Sequence, residues 1–335
     1  MKKHISIVSL ILFLFTIWSC NNREFAEVKK LSEYKKTSFL PTLEHSINSD
    51  TNAVYCVTLL YAWDEVRKLI NHPFIINPDF YDLQTLNNSK SFLNVLQNNE
   101  YEASGEVDGF SIKTRAEFTK SLPFEFKLQS FTNKLIFNKQ KVASFGMIGN
   151  NEDLTPIIKI VYYKNDANFI IKLLPKDKEH EILLFQSDKK FHSLKEMHAE
   201  IQRLTVLGNK ERLSNKTQWK YYFSEEDELI IPKFNFNIET NYKTLEGKSF
   251  QASTQTYSID KVWQRTAFML DEAGAEIESE AVIEVAADGP DENTEKPKPK
   301  KMIFNRSFLT LLKRTDAPYP YFALWTTNAE LMVKE

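Results

Sequence analysis

A strictly alternating stretch near the C-terminal end of the chain gives the clearest secondary-structure signal. From residue 275 to 287, one side of an extended chain would carry only small or apolar side chains, and the other side would carry four glutamates. The first set is Ala275, Ile277, Ser279, Ala281, Ile283, Val285 and Ala287, and the second is Glu276, Glu278, Glu280, Val282, Glu284 and Ala286. Period-two alternation is typical of a strand with one buried face. Residues 275–287 are therefore predicted to form a strand, or to be able to join a sheet.

The residues that follow have a different character. Residues 288–301 contain three prolines, several acids and lysines, and no large apolar residue, which predicts a mobile, exposed loop. One interpretation is an edge strand followed by a linker. The other is a loop that enters a sheet after it is cut. Burying Ile277, Ile283 and Val285 would gain on the order of 5–9 kcal/mol, while ordering a dozen residues costs roughly 1–2 kcal/mol each. Insertion would therefore need hydrogen-bonded strands on both sides.

The rest of the chain predicts a mixture of helices and strands, which indicates the α+β class. Apolar spacing predicts helices at residues 39–70, 86–96 and 191–207, and strands at residues 137–147, 157–163, 168–174 and 231–242.

The N-terminus is predicted to be a targeting segment. Lys2 and Lys3 precede an apolar stretch, residues 5–17, that is short for a membrane span. A small residue followed by Cys20 resembles a bacterial lipoprotein box, and the alternative is an ordinary signal peptide with a chance cysteine. We expect a signal peptide at residues 1–19, a lipid anchor on Cys20, a tether at residues 20–36 and a folded domain at residues 37–335. This arrangement implies a protein of the bacterial cell envelope that faces the periplasm or the exterior.

Composition narrows the functional classes. Removal of residues 1–19 takes away Lys2 and Lys3 and changes the formal charge from −2 to −4. The sequence contains no cluster of Lys and Arg that would indicate a nucleic-acid partner. Cys56 is the only other cysteine, so no intrachain disulfide is expected. No base lies near it in the sequence, and it is therefore predicted to be a core residue. With 42% hydrophobic residues, including 25 Phe, the chain is expected to rely on its apolar core.

The sequence contains no recognised catalytic or metal-binding motif. There are only 8 Gly, and no phosphate-binding loop, nucleophile elbow or His-Glu-x-x-His pattern. His192 and His198 are six positions apart on a predicted helix, a spacing that does not place two ligands on one face. We therefore predict neither an enzyme nor a cofactor or metal site.

Several motifs in the C-terminal third occur in the order found in one family. They are Glu272-x-Gly274-x-Glu276, Phe304-Asn305-x-x-Phe308, the stretch at residues 318–325 with its Pro-x-Phe pattern, and IPKFNFNIETNY at residues 231–242. Together they resemble the corresponding part of a serpin. The resemblance implies a serpin fold, with a large central mixed β-sheet, further β-sheets and a cluster of helices, shortened relative to the family. It also argues for one folded domain, with an exposed reactive loop at about residues 275–303.

The resemblance implies a single-use inhibitor of a serine protease. The protease would attack the loop and form an acyl-enzyme. The loop would then insert into the sheet as a new strand and trap the protease. The implied hinge comprises Glu272, Gly274, Ala275, Glu276, Ile277, Glu278, Ser279, Glu280 and Ala281. The family spacing places the scissile bond near Asp288-Gly289. The identity of the target protease is not readable from the sequence.

Three features leave other interpretations open. Ile277 and Glu278 stand where inhibitory serpins keep small residues, and a bulky Ile277 would slow insertion into a tight groove. The loop is some eight residues longer than usual. Residues 101–126 are shorter than in the family and match either a helix or the top of the central sheet, with Leu122 in place of a tryptophan. The alternatives are a non-inhibitory serpin-fold surface protein that binds a ligand or partner, and an unrelated α+β lipoprotein.

Overall fold

The computed structural model describes residues 23–108, 111–276 and 298–335. In chain order the first strands are β1 (Lys29–Lys30), β2 (Thr37–Leu40), β3 (Asn52–Cys56), β4 (Phe74–Ile76), β5 (Glu102–Asp108), β6 (Ser111–Glu117) and β7 (Leu122–Pro123). They are followed by β8 (Gln129–Phe137), β9 (Gln140–Ile148), β10 (Ile158–Asn165), β11 (Asn168–Leu173), β12 (His180–Gln186), β13 (Glu228–Pro232) and β14 (Phe234–Asn241). The last are β15 (Ser249–Ala252), β16 (Gln255–Ser258), β17 (Trp263–Asp271), β18 (Gly274–Glu276), β19 (Lys301–Ile303), β20 (Phe308–Arg314) and β21 (Phe322–Thr326).

The described helices are α1 (Thr58–Ile70), α2 (Tyr81–Asn88) and α3 (Leu194–Arg212). Ser193 caps α3 by accepting a hydrogen bond from the Glu196 backbone NH at 3.2 Å, and the Glu196 carboxylate accepts one from the His192 NH at 2.8 Å. This reciprocal pairing satisfies donors at the helix start and fixes where α3 begins. None of the helices in these ranges is long and apolar enough to cross a membrane.

Three sheets carry the architecture. The five-stranded sheet has the order β1-β14-β17-β18-β7, the seven-stranded sheet has the order β10-β11-β12-β20-β21-β3-β2, and the four-stranded sheet has the order β19-β13-β9-β8. Strands β16-β15-β4 form a small sheet, and β5 and β6 form a separate hairpin. Parallel pairs (β1 with β14, β2 with β3, β13 with β19) occur beside antiparallel ones, so the sheets are mixed. The predicted α+β class is confirmed.

Aromatic side chains join the five-stranded sheet to the seven-stranded sheet. Phe268 of β17 stacks on Phe322 of β21 with ring centroids 4.5 Å apart, and Phe234 of β14 meets Phe308 of β20 at 6.1 Å. All four side chains are buried. Buried aromatic pairs contribute both apolar area and geometric specificity. They hold the inner face of β14 and β17 against the core and leave the other face of these strands outward.

The structure differs from the sequence expectation in three regions. Residues 39–70 do not form one helix, because β2 and β3 precede α1, and β3 is buried along its whole length inside the seven-stranded sheet. Residues 86–96 are helical only as far as Asn88, where α2 ends, and turns follow. Residues 101–126, which matched either a helix or the top of the central sheet, contain the β5–β6 hairpin and β7, and β7 places Leu122 in the five-stranded sheet. The five-stranded sheet is also smaller than the large central sheet that the resemblance implies, because three of its strands have only two or three residues.

His198 predicts an acid-dependent loss of stability. Its ring is buried on α3, 5.8 Å from the Tyr319 ring. Burial, helped by the charge of Lys313, lowers the pKa of His198 to about 4. Below pH 6.5 the unfolded chain therefore binds a proton that the folded chain does not, and the free energy of unfolding falls by up to about 1.4 kcal/mol per pH unit until about pH 4.

Urea unfolding at pH 7 and pH 5 measures this effect. Wild-type protein should lose about 2 kcal/mol more between these pH values than a His198→Gln variant. His192→Gln, at an exposed position three residues before Lys195, is the matched control and should behave like wild type. Equal pH dependence in His198→Gln and wild type would contradict a neutral, buried imidazole.

Candidate functional site

The predicted hinge begins with a tight reversal of the chain. β17 ends at Asp271, Glu272 and Ala273 form the turn, and β18 runs back antiparallel to β17 with Leu270 opposite Ala275. β7 pairs with the other side of β18 and places Leu122 opposite the same alanine. Ala275 is fully buried between the two strands. The first residues of the alternating stretch therefore already belong to a sheet.

Gly274 occupies a position that requires glycine. Its φ is +126°, and a Cβ added there would lie 2.4 Å from the Leu122 carbonyl oxygen and 2.8 Å from the Pro123 Cα. Backbone atoms cannot yield as a flexible side chain does, and this φ is strained for any residue with a side chain. The close approach of β18 to β7 therefore depends on the missing side chain.

Backbone and side-chain contacts fix the turn from several directions. The Phe124 NH donates to the Ala273 carbonyl at 2.9 Å, and the Leu128 NH donates to the Glu272 carbonyl at 2.8 Å. Lys233, just before β14, forms an ion pair with Glu272. Burial acts to raise the pKa of Glu272, but the hydrogen bond and charge of Lys233 outweigh it and hold that pKa below its ordinary value.

A slot lies beside β17 beyond the end of β18. β18 pairs with only residues 269–271 of β17. In the described ranges, no strand pairs with residues 263–268 on the side that faces β18. A cavity of about 420 Å³ follows this edge and is bounded by β17, the end of β6, α1 and β3. Among the described residues, this unpaired edge of β17 therefore borders a cavity.

The wall of the slot mixes apolar side chains with polar and charged ones, including Arg115 and Glu117 of β6. Gln264 donates to the Thr58 hydroxyl at 2.6 Å and to the Cys56 carbonyl at 3.3 Å, and accepts a hydrogen bond from the Tyr242 hydroxyl. The buried Thr266 hydroxyl has no hydrogen-bond partner in the described part of the chain. Cys56 is buried, and burial raises the pKa of its thiol. This is the protonated, inert state expected of a core cysteine.

The C-terminal end of the predicted reactive loop is also held in place. Lys300 and Asp227 form a buried ion pair with Nζ and Oδ2 2.7 Å apart, and their side chains are 2% and 0% exposed. The Lys300 backbone NH donates to Asp227 Oδ1 at 2.7 Å, and the Ser224 NH donates to Oδ2 at 2.9 Å. Directly after this pair, β19 joins β13 in parallel. Residues 301–303 thus lie in the four-stranded sheet and Lys300 is buried beside it, rather than in an exposed loop that continues to residue 303.

The structure brings together only part of the predicted site. Glu272, Gly274, Ala275 and Glu276 lie in the turn and in β18. Eight further predicted residues, in the hinge, at the scissile bond and at the anchor, lie outside the described residues: Ile277, Glu278, Ser279, Glu280, Ala281, Asp288, Gly289 and Cys20. Lys300 and Asp227 were not singled out by the sequence, because a lysine in a proline-rich charged stretch carries no sign of burial. Within the described ranges, no group of three or more His, Cys, Asp or Glu is arranged to hold a metal ion.

Comparisons with known proteins extend these observations. No family model and no curated protein matches the chain. Similar solved structures include Serpin48, a highly specific serpin of the insect Tenebrio molitor, at 13% identity and TM-score 0.34, over 65% of this chain and 55% of that one. They also include a serpin of the trematode Schistosoma haematobium, at 12% and 0.33 over 66% and 58%. The thyroxine-binding globulin complex with thyroxine matches at 14% and 0.34 over 83% and 74%.

The chain spans little more than half the length of the first of these structures. Among proteins of known structure, the chain is thus similar to serpins.

Proposed function

We propose that this protein is a serpin-like inhibitor of serine proteases, in which cleavage of residues 277–297 lets the hinge extend along β17 as a longer strand. The observation that supports this most directly is the pairing of β18 with β17. Gly274, Ala275 and Glu276 already lie antiparallel to residues 269–271, and five further positions of the same strand, residues 263–267, border the slot. This pairing would provide the unfavourable first step of adding a strand.

The register of β18 predicts how the rest of the hinge would fit. Continued without a shift, it brings Ile277 opposite Phe268, Ser279 opposite Thr266 and Ala281 opposite Gln264, on the buried face. Cross-strand partners share a face of the sheet. The small and apolar set would therefore enter the slot, and the Ser279 hydroxyl would meet the unpartnered hydroxyl of Thr266.

The opposite face gives a second favourable pairing. The same register places Glu280 opposite Arg265, which is exposed on the outward face of β17. Opposite charges on directly paired residues contribute roughly 0.2–1 kcal/mol relative to alanines. The outward glutamates would thus remain solvated, and one of them would gain a partner.

The chemistry belongs to the protease, and this chain supplies the substrate loop. The protease serine Oγ attacks the carbonyl carbon of the scissile residue, which we place at Asp288. The peptide bond to Gly289 breaks, the new amino terminus takes the proton, and Asp288 is left as an ester on the protease. Insertion as far as Val282 opposite Trp263 would lengthen the paired strand by about 20 Å along β17 before water hydrolyses that ester.

The proposal can be tested by placing a charge on the buried face or on the outward face of the hinge. Incubation with a panel of serine proteases should give a detergent-resistant adduct with the summed mass of protease and cleaved inhibitor. Ala281→Glu would place a charge in the slot and should convert the protein into a plain substrate, because an unpaired buried carboxylate opposes insertion. Val282→Glu, the same substitution one residue on and on the outward face, is the matched control and should still trap the protease. Cleavage without adduct throughout, or equal loss in both variants, would reject the mechanism.

The alternative function is that of a non-inhibitory surface protein that binds a ligand or partner. The observation that favours it is the length of β7, which offers only Leu122 and Pro123 on the far side of β18. A longer inserted strand would then pair with β17 alone. The melting temperature separates the two functions, since an inhibitor should gain thermal stability after loop cleavage and a non-inhibitory protein should not.

We also propose that Cys20 carries the lipid anchor and that the domain faces the periplasm or exterior of a bacterial cell. The apolar segment before Cys20 and the small residue at Ser19 support this placement. Cys20→Ser should then shift the protein from the membrane fraction to the soluble fraction, and an unchanged distribution would reject the anchor.

A further inference from the structure

The N-terminal segment that was expected to be a free tether lies across the outward face of the five-stranded sheet. The Ala26 NH donates to Asn235 Oδ1 at 2.8 Å, and Asn235 Nδ2 donates to the Glu24 carbonyl at 3.1 Å. Asn237 Nδ2 donates to the Ala26 carbonyl at 3.1 Å. These two asparagines are two positions apart on β14 and therefore lie on the same face. Their side-chain amides fix residues 24–26 on that face.

Two further contacts set the path of this segment. β1 runs parallel to β14, with Lys29 opposite Ile238. At the other end of the segment, Phe25 contributes to the wall of the slot beside β17. Residues 23–30 therefore pass from the hinge turn, past the mouth of the slot, to the outer edge of the sheet.

Arg23 connects this segment to the turn. Its Nε donates to Asp271 Oδ2 at 3.1 Å, its Nη2 lies 2.6 Å from Asp271 Oδ1, and Nη2 also donates to the Gly274 carbonyl at 2.8 Å. One guanidinium thus bridges the last residue of β17 and the first residue of β18. Asp271 Oδ1 in turn accepts a hydrogen bond from the Ala273 NH at 2.7 Å. The arginine therefore acts on the carboxylate that shapes the turn and on the backbone of the hinge itself.

We propose that Arg23 is a positioning residue that holds the hinge turn closed, so that the N-terminal segment controls how often β18 leaves the sheet. A planar guanidinium can reach a carboxylate and a carbonyl in one fixed arrangement, whereas an ammonium group acts as a point charge. The contact joins residues that are about 250 positions apart in the chain. The proposal goes beyond protease inhibition and does not depend on it, because hinge opening is measurable without a protease.

Hydrogen–deuterium exchange of the peptide that covers residues 270–276 tests this role. Arg23→Ala should raise the exchange rate of these amides about tenfold or more, since hydrogen bonds to a charged group are among the stronger ones. The exchange of β14 and of the seven-stranded sheet should remain within a factor of two. Arg23→Lys should resemble Arg23→Ala more than wild type, because lysine restores the charge but not the forked geometry.

The control removes a positive charge from the same segment. Lys29 is exposed on β1, and Lys29→Ala should leave hinge exchange unchanged. The Asp271→Asn variant provides a second approach from the other side of the contact and should raise hinge exchange as Arg23→Ala does. Unchanged hinge exchange in Arg23→Ala, an equal rise in Lys29→Ala, or a rise spread uniformly over the whole sheet would each overturn the proposal. Loss of protease trapping with hinge exchange as expected would instead reject only the inhibitory function.

Discussion

Replacing Lys300 by methionine will reduce the free energy of unfolding by about 3–5 kcal/mol. The substitution keeps most of the side-chain volume but leaves the Asp227 carboxylate buried without its cation. The two backbone NH groups that donate to Asp227 remain, so the carboxylate keeps hydrogen bonds but loses its neutralising charge. Urea unfolding followed by tryptophan fluorescence measures the loss, since Trp219 lies 5.6 Å from the Lys300 ammonium group.

The neighbouring lysine provides the control for this prediction. Lys301 forms an ion pair with Glu228, but its side chain is 43% exposed, and such pairs contribute about 0–1 kcal/mol. Lys301→Met should therefore have a small effect. Adding Asp227→Asn to Lys300→Met should restore part of the stability, because a neutral amide needs no cation. Two results would contradict a buried ion pair at the C-terminal end of the loop. One is a similar loss of stability in the two lysine variants, and the other is a double variant that is less stable than Lys300→Met alone.

Substituting Gly274 by alanine will reduce the free energy of unfolding by about 3 kcal/mol, through both backbone strain and steric overlap. The added Cβ would overlap the Leu122 carbonyl, so β18 would have to move away from β7. We expect the amides of residues 274–276 to lose their protection from hydrogen exchange while the seven-stranded sheet keeps its protection.

A Gly247→Ala variant separates the effect of backbone strain from the effect of steric overlap. Gly247 also has a positive φ, of +74°, but a Cβ there would meet nothing within 4 Å. Gly247→Ala should therefore cost only about 1 kcal/mol, the strain of a left-handed residue with a side chain. If the two alanine variants lose the same stability, the contact between β18 and β7 is looser than the structure indicates.

The sequence predicted strands best where tertiary packing agrees with a simple pattern. The stretch predicted at residues 231–242 covers the end of β13 and all of β14, and the strand predicted at residues 168–174 corresponds to β11. The amphipathic helix predicted from residue 191 corresponds to α3, whose apolar face packs on the core while its N-terminus is capped by Ser193. In each case the local pattern and the final environment favour the same structure.

The same pattern misled where a strand is buried on both faces. The apolar residues of β3, Asn52–Cys56, continue into α1 with spacing that also fits a helix. A strand inside a sheet with both faces covered has no alternation, and periodicity alone does not separate it from a buried helix. The hairpin at residues 102–117 was missed for a different reason, since its contact with α1 involves Gly105 beside Leu69 and leaves little apolar signal in the strands.

The contacts that make the site could not be predicted from the sequence. Arg23 meets Asp271, and Asp227 meets Lys300, across long stretches of intervening chain. No local pattern marks either pair, because each arises only once the sheets have brought distant segments together. The hinge residues were identified through a family motif, while the residues that hold the hinge in place emerged only from the fold.

The order of the seven-stranded sheet has a consequence for biosynthesis. β20 and β21 lie in its middle, between β12 and β3, yet they are among the last strands to leave the ribosome. Until then β12 and β3 each present an open edge, and open edges are sites of intermolecular pairing. The seven-stranded sheet therefore closes only after residue 326 has been synthesised, and chains that terminate before residue 308 should aggregate rather than fold.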